Sequence, residues 1–108
     1  QLLGYSYEQF LSHIEGQFKD GMNWDLFHAG EIEIDHILPK ASFYYETYSD
    51  QDFKDCWALS NLRPLWRSHN RSKGDTMPDG SDGRDIGEAK RQRYELRLIA
   101  MSAGAMES

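Results

Sequence analysis

Two runs, IEIDHILPKASF at 32–43 and NLRPLWRSHNRSKGD at 61–75, bound the stretch of chain that decides the fold. In the first, Ile32 and Ile34 alternate with Glu31 and Glu33, the period-two pattern of a half-buried strand, and Pro39 stops it. A carboxylate, Asp35, and an imidazole, His36, therefore sit where a strand ends. In the second, Leu62 and Leu65 face a core, and Pro64 confines the segment to an edge or a very short strand. Ser68 is placed to cap a following helix and Gly74 to end it. Asn61 and Asn70 stand nine positions apart, so two strands and one helix can converge on one small pocket. Neighbouring side chains on a regular strand point to opposite faces. For Asp35 and His36 to serve one site, the strand must end or twist at that pair.

Outward from this centre, 6–18 reads as an amphipathic scaffold helix with Tyr7, Phe10, Leu11, Ile14 and Phe18 on one stripe. Ser6 and Gln9 have capping-box spacing, and Gly21 suits the exit. His13 falls on the solvated side. GMNWDLFHAG (21–30) is expected to be an irregular connection whose Trp24 and Phe27 plug the core, with His28 a minor candidate for touching substrate. After Pro39 a long loop carries a short helix signal at 49–57, with Ser49 and Asp52 spaced as a capping box. Cys56 there is a small core residue rather than a nucleophile. Phe43, Tyr44, Tyr45 and Tyr48 can stack on nucleic acid or pack across the loop, and packing is favoured. Glycines and Pro78 make about 75–85 a flexible linker, leading into a helix over about 86–101 that closes the fold or touches a DNA backbone.

The 108 residues, 39% of them apolar, make one small domain. A single cysteine excludes an internal disulfide and fits a reducing compartment. No apolar run reaches membrane-spanning length, and no signal peptide is legible, which points to an intracellular, cytoplasmic protein without a membrane partner. The start at Gln1 suggests a piece of a longer chain. The net charge of −6 is unevenly spread. Residues 1–62 hold three basic side chains against eleven acids, and 63–108 hold nine against seven, giving −8 and +2. Arg63, Arg67, Arg71 and Lys73 could thus line a phosphate path beside the pocket, or form a solvated charged face.

The Asp-His pair, the NLRPLW run and the terminal HNRSKGD resemble the HNH endonucleases, in particular the compact type often encoded by bacteriophages, over roughly residues 4–75. The resemblance implies an α+β fold. Its centre would be a ββα-metal finger, a short two-stranded antiparallel hairpin plus helix, flanked by N-terminal and C-terminal helices. The whole would be a single nuclease domain over 1–108 with its core at 31–75. It also implies roles: Asp35 and Asn70 as ligands of one divalent metal, His36 as the general base on water, and Asn61 as the residue that orients the imidazole. His69 is the alternative ligand if the helix register differs by one. Many relatives grip a structural zinc with two CxxC pairs. Trp66 and His69 stand where the second pair would fall, so no structural zinc is expected. Double-stranded DNA is the implied partner, with phage packaging (terminase) proteins as further partners by family analogy, in a monomer or dimer that nicks or cuts both strands.

The residue types suit that chemistry. An imidazole titrates near neutrality, and a positioned base is worth ~10²- to 10⁴-fold in rate. One carboxylate and one amide oxygen form a weakly charged oxygen site suited to Mg²⁺ or Mn²⁺. The competing possibility is a catalytically idle ββα module that binds DNA or protein. A zinc-stabilised binding finger lacks its cysteines.

Overall fold

A computed structural model describes residues 3–107 of the chain. It is an α+β domain built on a two-stranded antiparallel sheet of β1 (Ile32–His36) and β2 (Leu62–Trp66). Ile32 pairs with Trp66, Ile34 with Pro64, Asp35 with Arg63 and His36 with Leu62. Both strands are edges, so Pro64 costs no ladder bond to a third strand. Ile32 and Leu62 are buried, and the polar neighbours Asp35 and Asn61 are buried with them.

Helix α1 (Tyr7–Glu15) lies against β2. Its predicted capping box is present: Gln9 N–H donates to Ser6 Oγ, and Ser6 N–H donates to Gln9 Oε1. The helix stops at Glu15 rather than Phe18, because Gly16 ends it in a tighter turn in which Gln17 and Phe18 bond three residues back. Gly21 is not the helix exit; with Asp20 it occupies the positive-φ turn beyond. His13 is not solvated either. Its Nε2–H donates to the Leu62 carbonyl at 2.9 Å, and Gln17 donates to the same oxygen at 3.1 Å. These bonds fasten α1 to the start of β2.

The expected irregular connection contains α2 (Trp24–His28), started by Asn23, whose side chain accepts from Leu26 N–H. Trp24 and Phe27 do not plug the core; they are half-buried in an edge-to-face cluster with Phe18. Trp24 donates its indole N–H to Glu15 Oε1.

Residues 37–61 leave the sheet and return to it through α3 (Gln51–Trp57). The cap of α3 is Asp50, not Ser49, and it makes no side-chain cap bond: the Asp50 carboxylate is taken by the amides of Glu46 and Thr47. Asp52 receives Tyr44 N–H instead. Cys56 is fully buried, and burial raises its thiol to about 11. Tyr44 packs on Tyr94 and Tyr45 on Phe53, so these rings serve the fold.

Helix α4 (Arg67–Lys73) follows β2 without a break. Trp66, not Ser68, is its cap residue, and Gly74 with positive φ closes it as expected. The segment expected to be a flexible linker is a closed turn, with Thr76 bridged to Asp82 and Met77 N–H bonded to Ser81 O. Helix α5 then runs Gly83–Glu107, longer than predicted at both ends. Its first turns lie on the 3₁₀ turn Lys40–Ser42. A Cβ at Gly87 would overlap the Ala41 carbonyl, and one at Gly83 would lie 2.7 Å from Pro39. No described helix is long and apolar enough to cross a membrane.

Candidate active site

The site forms where β1 ends, and the opposite pointing of neighbouring strand residues shapes it. Asp35 turns toward α4 and is 4% exposed. Its Oδ2 accepts from Arg63 Nε at 2.8 Å across the sheet, and its Oδ1 accepts from Lys73 Nζ at 3.0 Å. His36 turns toward α3 and meets the Trp57 ring edge-on, centroids 4.5 Å apart. Lys73 Nζ also donates to the His36 carbonyl at 3.0 Å, closing the strand end. Because the strand stops there, both side chains open onto one cavity of about 750 Å³ that Asn70, Lys40 and Lys73 also line.

His36 Nε2 is buried with no hydrogen-bond partner among the described residues. Burial holds the imidazole below its ordinary pKa of 6.5, Lys40 and Lys73 push it the same way, and Asp35 opposes them. The ring is neutral at pH 7 and able to accept a proton.

Asn61 does not touch the imidazole. Its Oδ1 accepts from Leu38 N–H at 2.8 Å, its amide donates to the carbonyls of Leu38 and Cys56, and its own carbonyl accepts from Ile37 N–H. The expected ring-orienting role is thus replaced by a backbone clamp on the two residues after His36. A short buried amide satisfies donors and acceptors that leave a strand end, which explains its position next to β2.

Helix α4 matches β1 by repeat. Alternate strand residues are about 6.6 Å apart and helix residues three to four apart rise about 5 Å. Glu31 accordingly pairs with Arg67, Glu33 with Arg71 and Asn70, and Asp35 with Lys73. Asn70 donates its amide to Glu33 Oε1 at 3.0 Å, and this bond is the main cause of the lowered Glu33 pKa. Asn70 lies at the cavity, whereas His69 is exposed and does not line it. The basic side chains Arg63, Arg67, Arg71 and Lys73 each have a carboxylate partner: Asp35 for Arg63 and Lys73, Glu33 for Arg71, and Glu31, just before β1, for Arg67. His28 is exposed beside Trp24 and is not part of the cavity.

Among the described residues no three of His, Cys, Asp and Glu come together as a metal-binding group. Asp75 and the hydroxyl-bearing Tyr5, Ser6 and Tyr7 also line the cavity; of the expected ligands, Asp35 brings a carboxylate to it and Asn70 an amide oxygen. A carboxylate has about four lone-pair sites, and Arg63 and Lys73 take two. The Asn70 amide is turned so that nitrogen faces Glu33, leaving its oxygen without a protein donor among the described residues. This donor set fits a hard cation that keeps most of its water.

Sequence reasoning missed Lys40 and Trp57 as members of the site. Lys40 stands four residues after His36, just past the stop at Pro39, and that proximity was the available signal. Trp57 gave none, because an aromatic residue on the apolar side of a short helix reads as core.

The fold and site together define an α+β domain with two carboxylates, an imidazole and two lysines around one cavity. No family model matches the chain, and no solved structure matches it. It is similar to an uncharacterized protein of Acanthamoeba polyphaga mimivirus, 36% identical over 87 residues that cover 80% of this chain and 35% of that protein. The chain thus spans about a third of the length of the relative it matches.

Proposed function

We propose that this domain is a metal-dependent DNA endonuclease of the HNH type, with β1, β2 and α4 as its ββα-metal finger. The observation that carries the proposal is the opening of Asp35, His36 and Asn70 onto one cavity beside Lys40 and Lys73. Asp35 and Asn70 would hold one divalent ion, Mg²⁺ or Mn²⁺, which when bound polarises the phosphodiester and stabilises the leaving oxygen. His36, neutral at pH 7, takes the proton of the attacking water. Asn61 is a positioning residue that acts through the backbone of Ile37 and Leu38. Lys40 and Lys73 offset the charge that develops on the phosphoryl oxygens.

Arg63, Arg67 and Arg71 are proposed contacts to double-stranded DNA, reached by exchanging a carboxylate partner for a phosphate. That exchange makes binding steeply salt-dependent. A cytoplasmic site of action, and partnership with phage packaging proteins, belong to the same proposal by analogy.

One observation favours a second function, a catalytically idle DNA- or protein-binding module: both Asp35 oxygens already serve the fold through Arg63 and Lys73. Incubating supercoiled plasmid with the protein in Mg²⁺, Mn²⁺ or EDTA separates the two. Nicked or linear product only with metal is expected. Intact plasmid under every metal, with DNA still bound, supports the idle module.

A further inference from the structure

Aromatic side chains line the same cavity as the charged groups. Helix α1 contributes Tyr7 and Phe10, and α3 ends on Trp57. Tyr5 fixes this lining by donating its hydroxyl to the Trp57 carbonyl at 2.7 Å. Lys40 leans over the Trp57 ring, its Nζ 5.7 Å from the centre. Tyr7 is 71% exposed, and among the described residues it makes no hydrogen bond and stacks on no ring. The fold does not need that ring: α1 is anchored by buried Ile14 and by the His13 bond to Leu62.

A cavity of about 750 Å³ that joins aromatic side chains to two ammonium groups has the chemistry of a nucleotide site. Bases stack on aromatic side chains whatever their sequence, and lysines take the phosphate. Paired bases inside a duplex cannot offer their faces to such side chains. We infer that the cavity seats one unpaired nucleotide of the bound strand, its base against Tyr7, Phe10 and Trp57 and its phosphate between Lys40 and Lys73, next to His36. The fate of that phosphate rests on the nuclease proposal; the seat of the base does not.

The test is binding in EDTA, read by fluorescence anisotropy, of a fluorescein-labelled thymidine decamer, its intact duplex, and a duplex with one bulged nucleotide. Charge density alone favours the intact duplex, so the expected order is diagnostic: single strand and bulge bind at least about tenfold tighter. Tyr7→Ala should weaken single-strand binding by about fivefold or more, and Tyr7→Phe should stay within about twofold, because stacking uses the ring and not the hydroxyl. Circular dichroism of both variants should be unchanged, since Tyr7 is exposed. Equal or tighter binding of the intact duplex, or unchanged binding by Tyr7→Ala, overturns the inference. Plasmid cleavage run in parallel keeps the two proposals apart. Tyr7-dependent single-strand binding without cleavage in any metal removes the nuclease and leaves the nucleotide site. Cleavage with binding indifferent to Tyr7→Ala does the reverse.

Discussion

Lys73 Nζ lies 3.0 Å from Asp35 Oδ1, and at 16% exposure it is less accessible than Arg63, Arg67 or Arg71, the other basic side chains paired with the carboxylates of 31–35. A cation supplied by the chain thus occupies part of the coordination space of the proposed metal ligand. Even with the full screening of bulk water, a unit charge a few ångströms from a divalent ion costs the ion about 1 to 2 kcal/mol. Lys73→Met should therefore tighten Mn²⁺ binding, measured by calorimetry without DNA, by roughly five- to thirtyfold. It should lower plasmid cleavage at saturating metal. Asp35→Asn should weaken metal binding and cost about 1.5–3 kcal/mol of stability in urea, because it strips charged partners from Arg63 and Lys73 together. Metal affinity that is unchanged or weaker in Lys73→Met removes Asp35 from the ligand set.

The His36 imidazole titrates below 6.5 in the fold, chiefly through burial, and at the ordinary value once unfolded. As pH falls through about 6.5 the unfolded chain takes up the proton first. The stability associated with this group is therefore present above that pH and lost as pH falls toward the folded-state value. Urea midpoints between about pH 5 and 8 should show this slope in the native chain and a shallower one in His36→Gln. The rising limb of kcat/KM should likewise lie below about pH 6.5, with a plateau at neutrality. A rising limb centred well above that value would show the base to be another group.

Asn61→Ala distinguishes a clamp from a ring-orienting residue. Truncation leaves the buried Cys56 carbonyl and the partly buried Leu38 amide and carbonyl without their partner, at a cost of about 2 kcal/mol. A residue that only steered an exposed face of the imidazole would leave stability nearly unchanged. Urea unfolding of Asn61→Ala and Asn61→Asp reads this directly, and a change under about 0.5 kcal/mol contradicts the clamp.

Gly87 is held against the Ala41 carbonyl with no room for a Cβ. Gly87→Ala raises helix propensity by about 1 kcal/mol, yet the backbone contact should make it destabilising by about 1–3 kcal/mol. Hydrogen exchange should then speed up in 83–95 and in the Lys40–Ser42 turn, while α1 keeps its protection. Stabilisation by Gly87→Ala would mean that α5 does not dock through this glycine.

Local signals were legible in the sequence, and pairings across the chain were not. The Ser6 and Gln9 box, the strand at β1 and the Gly74 stop follow from spacing within one element. Ser68 failed as a cap because β2 runs straight into α4, so Trp66 already holds the cap position. Nothing local shows that Glu31 and Glu33 answer the repeat of α4, or that His13 bonds a carbonyl on a strand 49 residues away. The glycines of 75–83 looked like slack, yet the Thr76 to Asp82 bridge uses them to turn tightly before α5. Asn61 bonds the backbone and not the imidazole; an amide aimed at an imidazole and one aimed at a backbone leave the same letter.

The excursion of residues 37–61 between the two strands has a kinetic side. β1 cannot pair with β2 until a loop of that length closes, at an entropic cost of roughly 3 kcal/mol, whereas β2 and α4 are contiguous and need only local contacts. Asn61 bonds Leu38 across the neck of that loop. In stopped-flow refolding, Asn61→Ala should slow the folding limb, while Gly87→Ala should act mainly on unfolding. Asp35 and His36 then reach Lys73 only after the neck is latched, so a nascent or partly unfolded chain carries the proposed catalytic groups without the geometry that brings them together.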